Sequence, residues 1–271
     1  MAPTPPDPSG WQIPTINLHI EDLSYPGATD FLTALNPDPY SSIRNCVVSA
    51  YRWLYEDEEE PNTAYDCRVE ELTITARSMP GVAHTFGDST KKHIHISMDY
   101  IHKLGAPVKP RSTSTSAQKP TPTQISNLED LGRMDPIEER KRQAEVLGVL
   151  THEAVHCFQY NGKGKCPGGL IEGIADYVRL RAGLAPPHWK RPTPSTIKRT
   201  DKWDSGYERT AFFLDWLEVE RCGGDVVKRL NMEMRDKVYD EFGTWLEVTG
   251  ETVQGLWEAY RDAVEGGFGT S

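Results

Sequence analysis

Gly148-Val-Leu-Thr-His-Glu-Ala-Val-His-Cys-Phe-Gln159 is a stretch of helical character with two histidines four residues apart and a glutamate directly after the first. On a helix, residues i and i+4 lie about 40° apart around the axis and about 6 Å apart along it. His152 and His156 can therefore aim two imidazoles at one metal ion. Glu153 can reach a metal-bound water and take its proton. The pattern is HExxH, which a chain of this composition would contain by chance only about 0.02 times. The competing reading, two unrelated histidines with one exposed and one in the core, is weakened by the flanks. Asp135-Pro136-Ile137-Glu138 reads as a helix start, with Asp as N-cap, Pro at the first helical position and Glu closing a capping box. The segment then runs without a proline to about Tyr160, where Asn161-Gly162 stops it. Val149, His152, His156 and Gln159 fall on one stripe; Ala144, Leu147, Thr151, Ala154 and Phe158 form a mostly apolar second one.

Zinc in a catalytic site takes three protein ligands and leaves the fourth position to water. The extended pattern HExxHxxGxxH is excluded, because Gln159 stands at its glycine and Gly162 at its third histidine. Downstream, Cys166-Pro-Gly-Gly-Leu-Ile-Glu-Gly-Ile-Ala-Asp-Tyr177 reads as a second helix, opened by Pro-Gly-Gly and closed by Gly183. Glu172 and Asp176 are i and i+4 on one face. Glu172 is the candidate carboxylate ligand, and Asp176 the candidate partner for the free N–H of a ligand histidine. Two exposed acids on a solvated face would be the alternative. Leu170, Ile171, Ile174 and Val178 argue for burial, and Gly173 permits close approach of another helix.

The run from His152 to Gly183, HEAVHCFQYNGKGKCPGGLIEGIADYVRLRAG, closely resembles the plant basic secretory protein family, a group assigned as zinc peptidases of plants, fungi and bacteria. His93-Ile-His-Ile-Ser-Met-Asp-Tyr-Ile101 looks like the family's strand before the active-site helix, and Trp203 to Leu214 like its later Gly-Tyr-containing helix. The resemblance covers roughly residues 15 to 262. It implies an α+β fold of the zincin, thermolysin-like kind, with Zn2+ held by His152, His156 and Glu172 and with Glu153 as base. Tyr207, in the Gly-Tyr stretch, is a candidate donor to an oxyanion; the alternative is an aromatic ring packing a helix start. Unlike the basic plant members, this chain has 40 acidic against 30 basic residues and a pI near 5.3.

Its formal charge of −10 and the lack of a basic patch with interleaved aromatics argue against nucleic acid. No stretch approaches the roughly 18 apolar residues of a membrane span. The opening Met-Ala-Pro-Thr-Pro-Pro-Asp-Pro has no charged or apolar leader region, which favours the cytoplasm, or secretion if a leader has been removed. Five cysteines leave at least one unpaired in a monomer. Cys157 is read as a small buried residue on the back of the helix.

Residues 1–14 form a Pro-rich arm, 15–162 a subdomain of small mixed sheet and HExxH helix, and 163–271 a helical subdomain carrying the third ligand. Strands are expected at Thr15–Ile20, Val69–Ala76 and His93–Met98, and a helix over Ser41–Tyr55. Glu56–Glu60 is an acidic loop and 107–123 a flexible one. Further helices are expected near Ser205–Arg221, Gly224–Met234, Asp240–Val248 and Glu251–Val264. His93 and His95 share a strand face and are read as polar residues near the cleft rather than ligands. Their strand is read as the edge that pairs with an extended peptide. The function this supports is a zinc metallohydrolase acting on a peptide. The alternatives are the same zinc fold repurposed for a small-molecule substrate, or a non-catalytic binding or defence protein, against which the intact Glu153 argues.

Overall fold

The computed structural model describes residues 11–55, 68–104 and 135–267. Residues 1–10 of the Pro-rich arm, the acidic run, Cys67 and the 107–123 loop lie outside the described residues.

The architecture is α+β. A four-stranded mixed sheet comprises β1 (Thr15–Ile20), β2 (Glu71–Arg77), β3 (Ala83–Gly87) and β4 (Lys91–Ser97) in the order β1-β2-β4-β3. β1, β2 and β4 are parallel, and β3 returns antiparallel to β4. Alternation sets the faces: Leu72, Ile74, Ala76, Ile94 and Ile96 are buried on one side, while Asn17, His19, His84 and Phe86 are exposed on the other. The crossover from β1 to β2 carries α1 (Pro26–Ala34) and α2 (Pro39–Tyr55), and α3 (Met98–Leu104) begins directly after β4 without a linker.

Helix α4 (Pro136–Phe158) packs on α2 and on the β3–β4 side of the sheet. Asp135 caps it, accepting from the Ile137 N–H at 2.9 Å. Glu138 turns to Lys141, 2.8 Å away. Helix α5 (Gly168–Arg181) packs on α4. After it come α6 (Tyr207–Trp216), extended by a π-helical turn over Leu217–Arg221, then α7 (Val226–Asp236), α8 (Glu241–Thr249) and α9 (Val253–Glu265). One buried cluster runs through all of this, from Phe31, Tyr51 and Leu72 beside the sheet to Phe213, Trp245 and Tyr260 among the late helices. Among the described residues no helix is long and apolar enough to cross a membrane.

The fold departs from the expectations for the strand at His93–Met98, which ends at Ser97 because Met98 opens α3. β4 is interior, because β3 covers its far side; among the described residues the edge strand beside α4 is β3. His93 and His95 point away from α4, on the outer face of the sheet. There Phe86 stacks on His93 at 5.0 Å between ring centroids, and His84 meets His95 at 5.0 Å. β3 escapes a periodicity search because none of its five residues is buried.

Candidate metal centre

The candidate ligands come from two helices joined by a short turn. α4 ends at Phe158, and positive φ angles at Gly162, Lys163 and Gly164 (57°, 57° and 77°) reverse the chain into α5. α5 then packs tightly against the segment that leads into α6. A Cβ on Gly169 would sit 1.8 Å from the Asp204 carbonyl oxygen, and one on Gly173 would sit 2.2 Å from Thr210 Cγ2. Two glycines in one helix therefore fix how α5 presents Glu172.

His152 Nε2 and His156 Nε2 lie 3.1 Å apart. Glu172 Oε2 lies 3.1 Å from the first and 3.6 Å from the second. Ligands about 2.0–2.1 Å from a tetrahedral zinc stand about 3.3 Å from one another. The three atoms thus have the spacing of three corners of such a site, and two imidazoles with one carboxylate form a known catalytic zinc set. No other group of three His, Cys, Asp or Glu side chains among the described residues converges in this way. Cys157 is buried in the core cluster, outside this group.

Both remaining imidazole nitrogens are occupied. Asp176, 3% exposed, places Oδ1 2.7 Å from His152 Nδ1. The Gln159 amide lies 2.6 Å from His156 Nδ1. Burial alone would depress the His152 pKa; hydrogen bonds to Asp176 and Glu172 outweigh it and raise it to about 9. Hydrogen bonds from the two histidines hold the Glu172 carboxyl well below the usual carboxylate range.

Glu153, 6% exposed, is held from the sheet side. The Thr85 hydroxyl of β3 lies 2.6 Å from Glu153 Oε2 and 3.1 Å from its backbone oxygen. Sequence reasoning missed Thr85. Its register opposite Ile94 puts it on the α4 side of the sheet, but nothing in the sequence announces β3.

Tyr207 opens α6 in a left-handed conformation, φ 48°, after Gly206 at φ 85°. A non-glycine residue there costs about 1–2 kcal/mol. Thr210 Oγ1 clamps the turn, accepting from the Gly206 N–H at 2.9 Å and donating to the Trp203 carbonyl at 2.8 Å. The result sets the Tyr207 ring nearly parallel to that of His152, 6.4 Å between centroids, with 55% of the residue exposed. Tyr207 is thus beside the cluster rather than packed in the core. The nearby Glu172 carboxylate pushes its hydroxyl pKa up, keeping it a hydrogen-bond donor.

These groups line a cleft of about 810 Å³. Val82 to Thr85 form one wall, and Glu172, Asp176 and Tyr207 the other. At one end Arg179 pairs with Glu145 at 2.8 Å, and the Tyr100 hydroxyl donates to Glu145 at 2.7 Å, so that charge is already neutralised.

A family model described as a peptidase of plants and bacteria matches residues 13–117 and 131–260. No curated protein and no solved structure matches the chain.

Proposed function

The chain belongs to the family of peptidases of plants and bacteria, the basic secretory protein family, and from that premise we propose that it is a zinc-dependent metallopeptidase of the zincin kind. The observation that carries this reading is the convergence of His152 Nε2, His156 Nε2 and Glu172 Oε2 within 3.1–3.6 Å of one another in the floor of the cleft. These three side chains would hold the metal. Zinc, when bound there, supplies a Lewis acid for the scissile carbonyl and lowers the pKa of water toward about 7.

The chain's own residues do the rest. Glu153 takes the proton of the attacking water and delivers it to the leaving amine. Thr85 holds one carboxylate oxygen of Glu153, which fixes the direction of the other. Tyr207, protonated and beside His152, donates a hydrogen bond to the developing oxyanion. The peptide lies extended along the open edge of β3.

Elemental analysis of protein purified without added metal is expected to give one zinc per chain. Anomalous scattering at the zinc edge is expected to place it at His152, His156 and Glu172. Metal held instead through Cys157 or His95 would overturn the assignment. Asp176 orients His152 without binding metal, so Asp176→Asn is expected to weaken zinc binding about 10–100-fold with the fold intact. Wild-type affinity and wild-type turnover in that variant would remove Asp176 from the site.

A further inference from the structure

We infer that Gln159 is the positioning residue for His156, the counterpart of Asp176 at His152, and that it does so by turning its amide oxygen to His156 Nδ1. The inference rests on the metal reading above and adds a residue to it. Gln159 is the first residue beyond α4. Its N–H still caps the helix by bonding to the Val155 carbonyl at 2.8 Å, but its backbone is already extended at φ −71°, ψ 149°. That break sends the side chain back to His156 instead of onward along the helix face, and puts the amide 2.6 Å from Nδ1.

The amide has one atom at Nδ1 and one without a partner whichever way it is turned, so the tautomer of the ring decides which atom belongs there. In the structure the amide nitrogen faces Nδ1, while Gln159 Oε1 is buried and has no hydrogen-bond partner among the described residues. An N–H donated to Nδ1 would force the ring proton onto Nε2, the atom that meets His152 and Glu172. That tautomer cannot ligate. Half a turn about the last side-chain bond moves the orphaned oxygen to Nδ1. The imidazole then donates Nδ1–H to it, and Nε2 keeps its lone pair for the metal. The two histidines are thus tuned unequally. His152 leans on a carboxylate and His156 on a neutral amide, which limits the negative charge gathered around the ligand set to Glu172, Asp176 and Glu153.

The test uses the full-length protein with zinc alone, so it needs no substrate. Zinc affinity is measured by chelator competition, and the cobalt-substituted protein is followed by its visible absorption, for wild type, Gln159→Leu and Gln159→Glu. Gln159→Leu removes the acceptor at similar size and is expected to lose about 10–100-fold in affinity, with an altered cobalt spectrum. Gln159→Glu keeps an acceptor at the same reach and is expected to stay within a few-fold of wild type. Equal affinity and spectrum for wild type and Gln159→Leu would overturn the inference and leave the metal reading standing. So would equal losses in both variants, since an acceptor at Nδ1 would then make no difference. A wild type that binds no zinc at the cluster would instead overturn the metal reading, and this inference with it. A measurement on the wild type guards against a variant that fails to fold. Long-range proton–nitrogen NMR of the zinc-loaded protein is expected to show a proton on His156 Nδ1, and its absence would overturn the assignment.

Discussion

Glu153→Gln is expected to slow peptide hydrolysis by about 10²–10⁴-fold while zinc content stays at one per chain. The substitution keeps the size of a side chain that is only 6% exposed, so packing gives no reason for the protein to unfold. The Thr85 hydroxyl, 2.6 Å from Glu153 Oε2, can donate to an amide oxygen as it does to a carboxylate. The variant therefore keeps the rotamer and loses only the ability to accept the water's proton. Turnover is best followed with a peptide library, beside a control on metal content. Near-normal turnover with bound zinc would mean that Glu153 is not the base.

The second large effect is structural. Gly173→Val is expected to destabilise the protein by about 1–3 kcal/mol. A Cβ there meets Thr210 Cβ at 2.5 Å as well as Cγ2 at 2.2 Å. Thr210 cannot swing aside cheaply, because its hydroxyl clamps the turn before Tyr207. The better helix propensity of valine over glycine offsets only a few tenths of a kcal/mol. Either α5 moves, taking Glu172 with it, or α6 moves, taking Tyr207. A lowered melting temperature and weakened zinc retention are thus expected together. Gly168→Ala, at the start of the same helix with nothing within 4 Å of its Cβ, is the control and is expected to be close to neutral. Gly173→Val melting with that control would show that the α5–α6 contact yields.

The two helices that carry the candidate ligands are the most legible part of the chain. Their signals are local: an Asp-Pro start, a four-residue histidine spacing, and glycines at both ends of α5. β1 matches its expected bounds because alternation survives on a half-buried strand. β3 and α3 are not legible. The first buries no residue, and the second begins where β4 stops, so an apolar run that reads as one strand to Met98 is in fact strand and helix. The site obeys the same rule. Asp176 can be placed from its spacing to Glu172, because both lie on one helix. Thr85 cannot, because its contact with Glu153 bridges 68 residues and depends on β3. Tyr207 is recognisable by its Gly-Tyr neighbourhood, while the left-handed turn that aims it is a property of the fold.

The position of β3 at the rim of the sheet has a consequence for the protein in concentrated solution. A strand with one side unpaired displays backbone donors and acceptors that do not distinguish a substrate from any other extended chain. The five residues of β3 leave room for only a short ladder, and at Gly87, φ 134°, the chain enters the turn into β4, where the Asp88 N–H still bonds the Lys91 carbonyl at 3.0 Å. Length thus limits adhesion: an edge of five residues offers few hydrogen bonds to any extended chain, a second copy of the protein included.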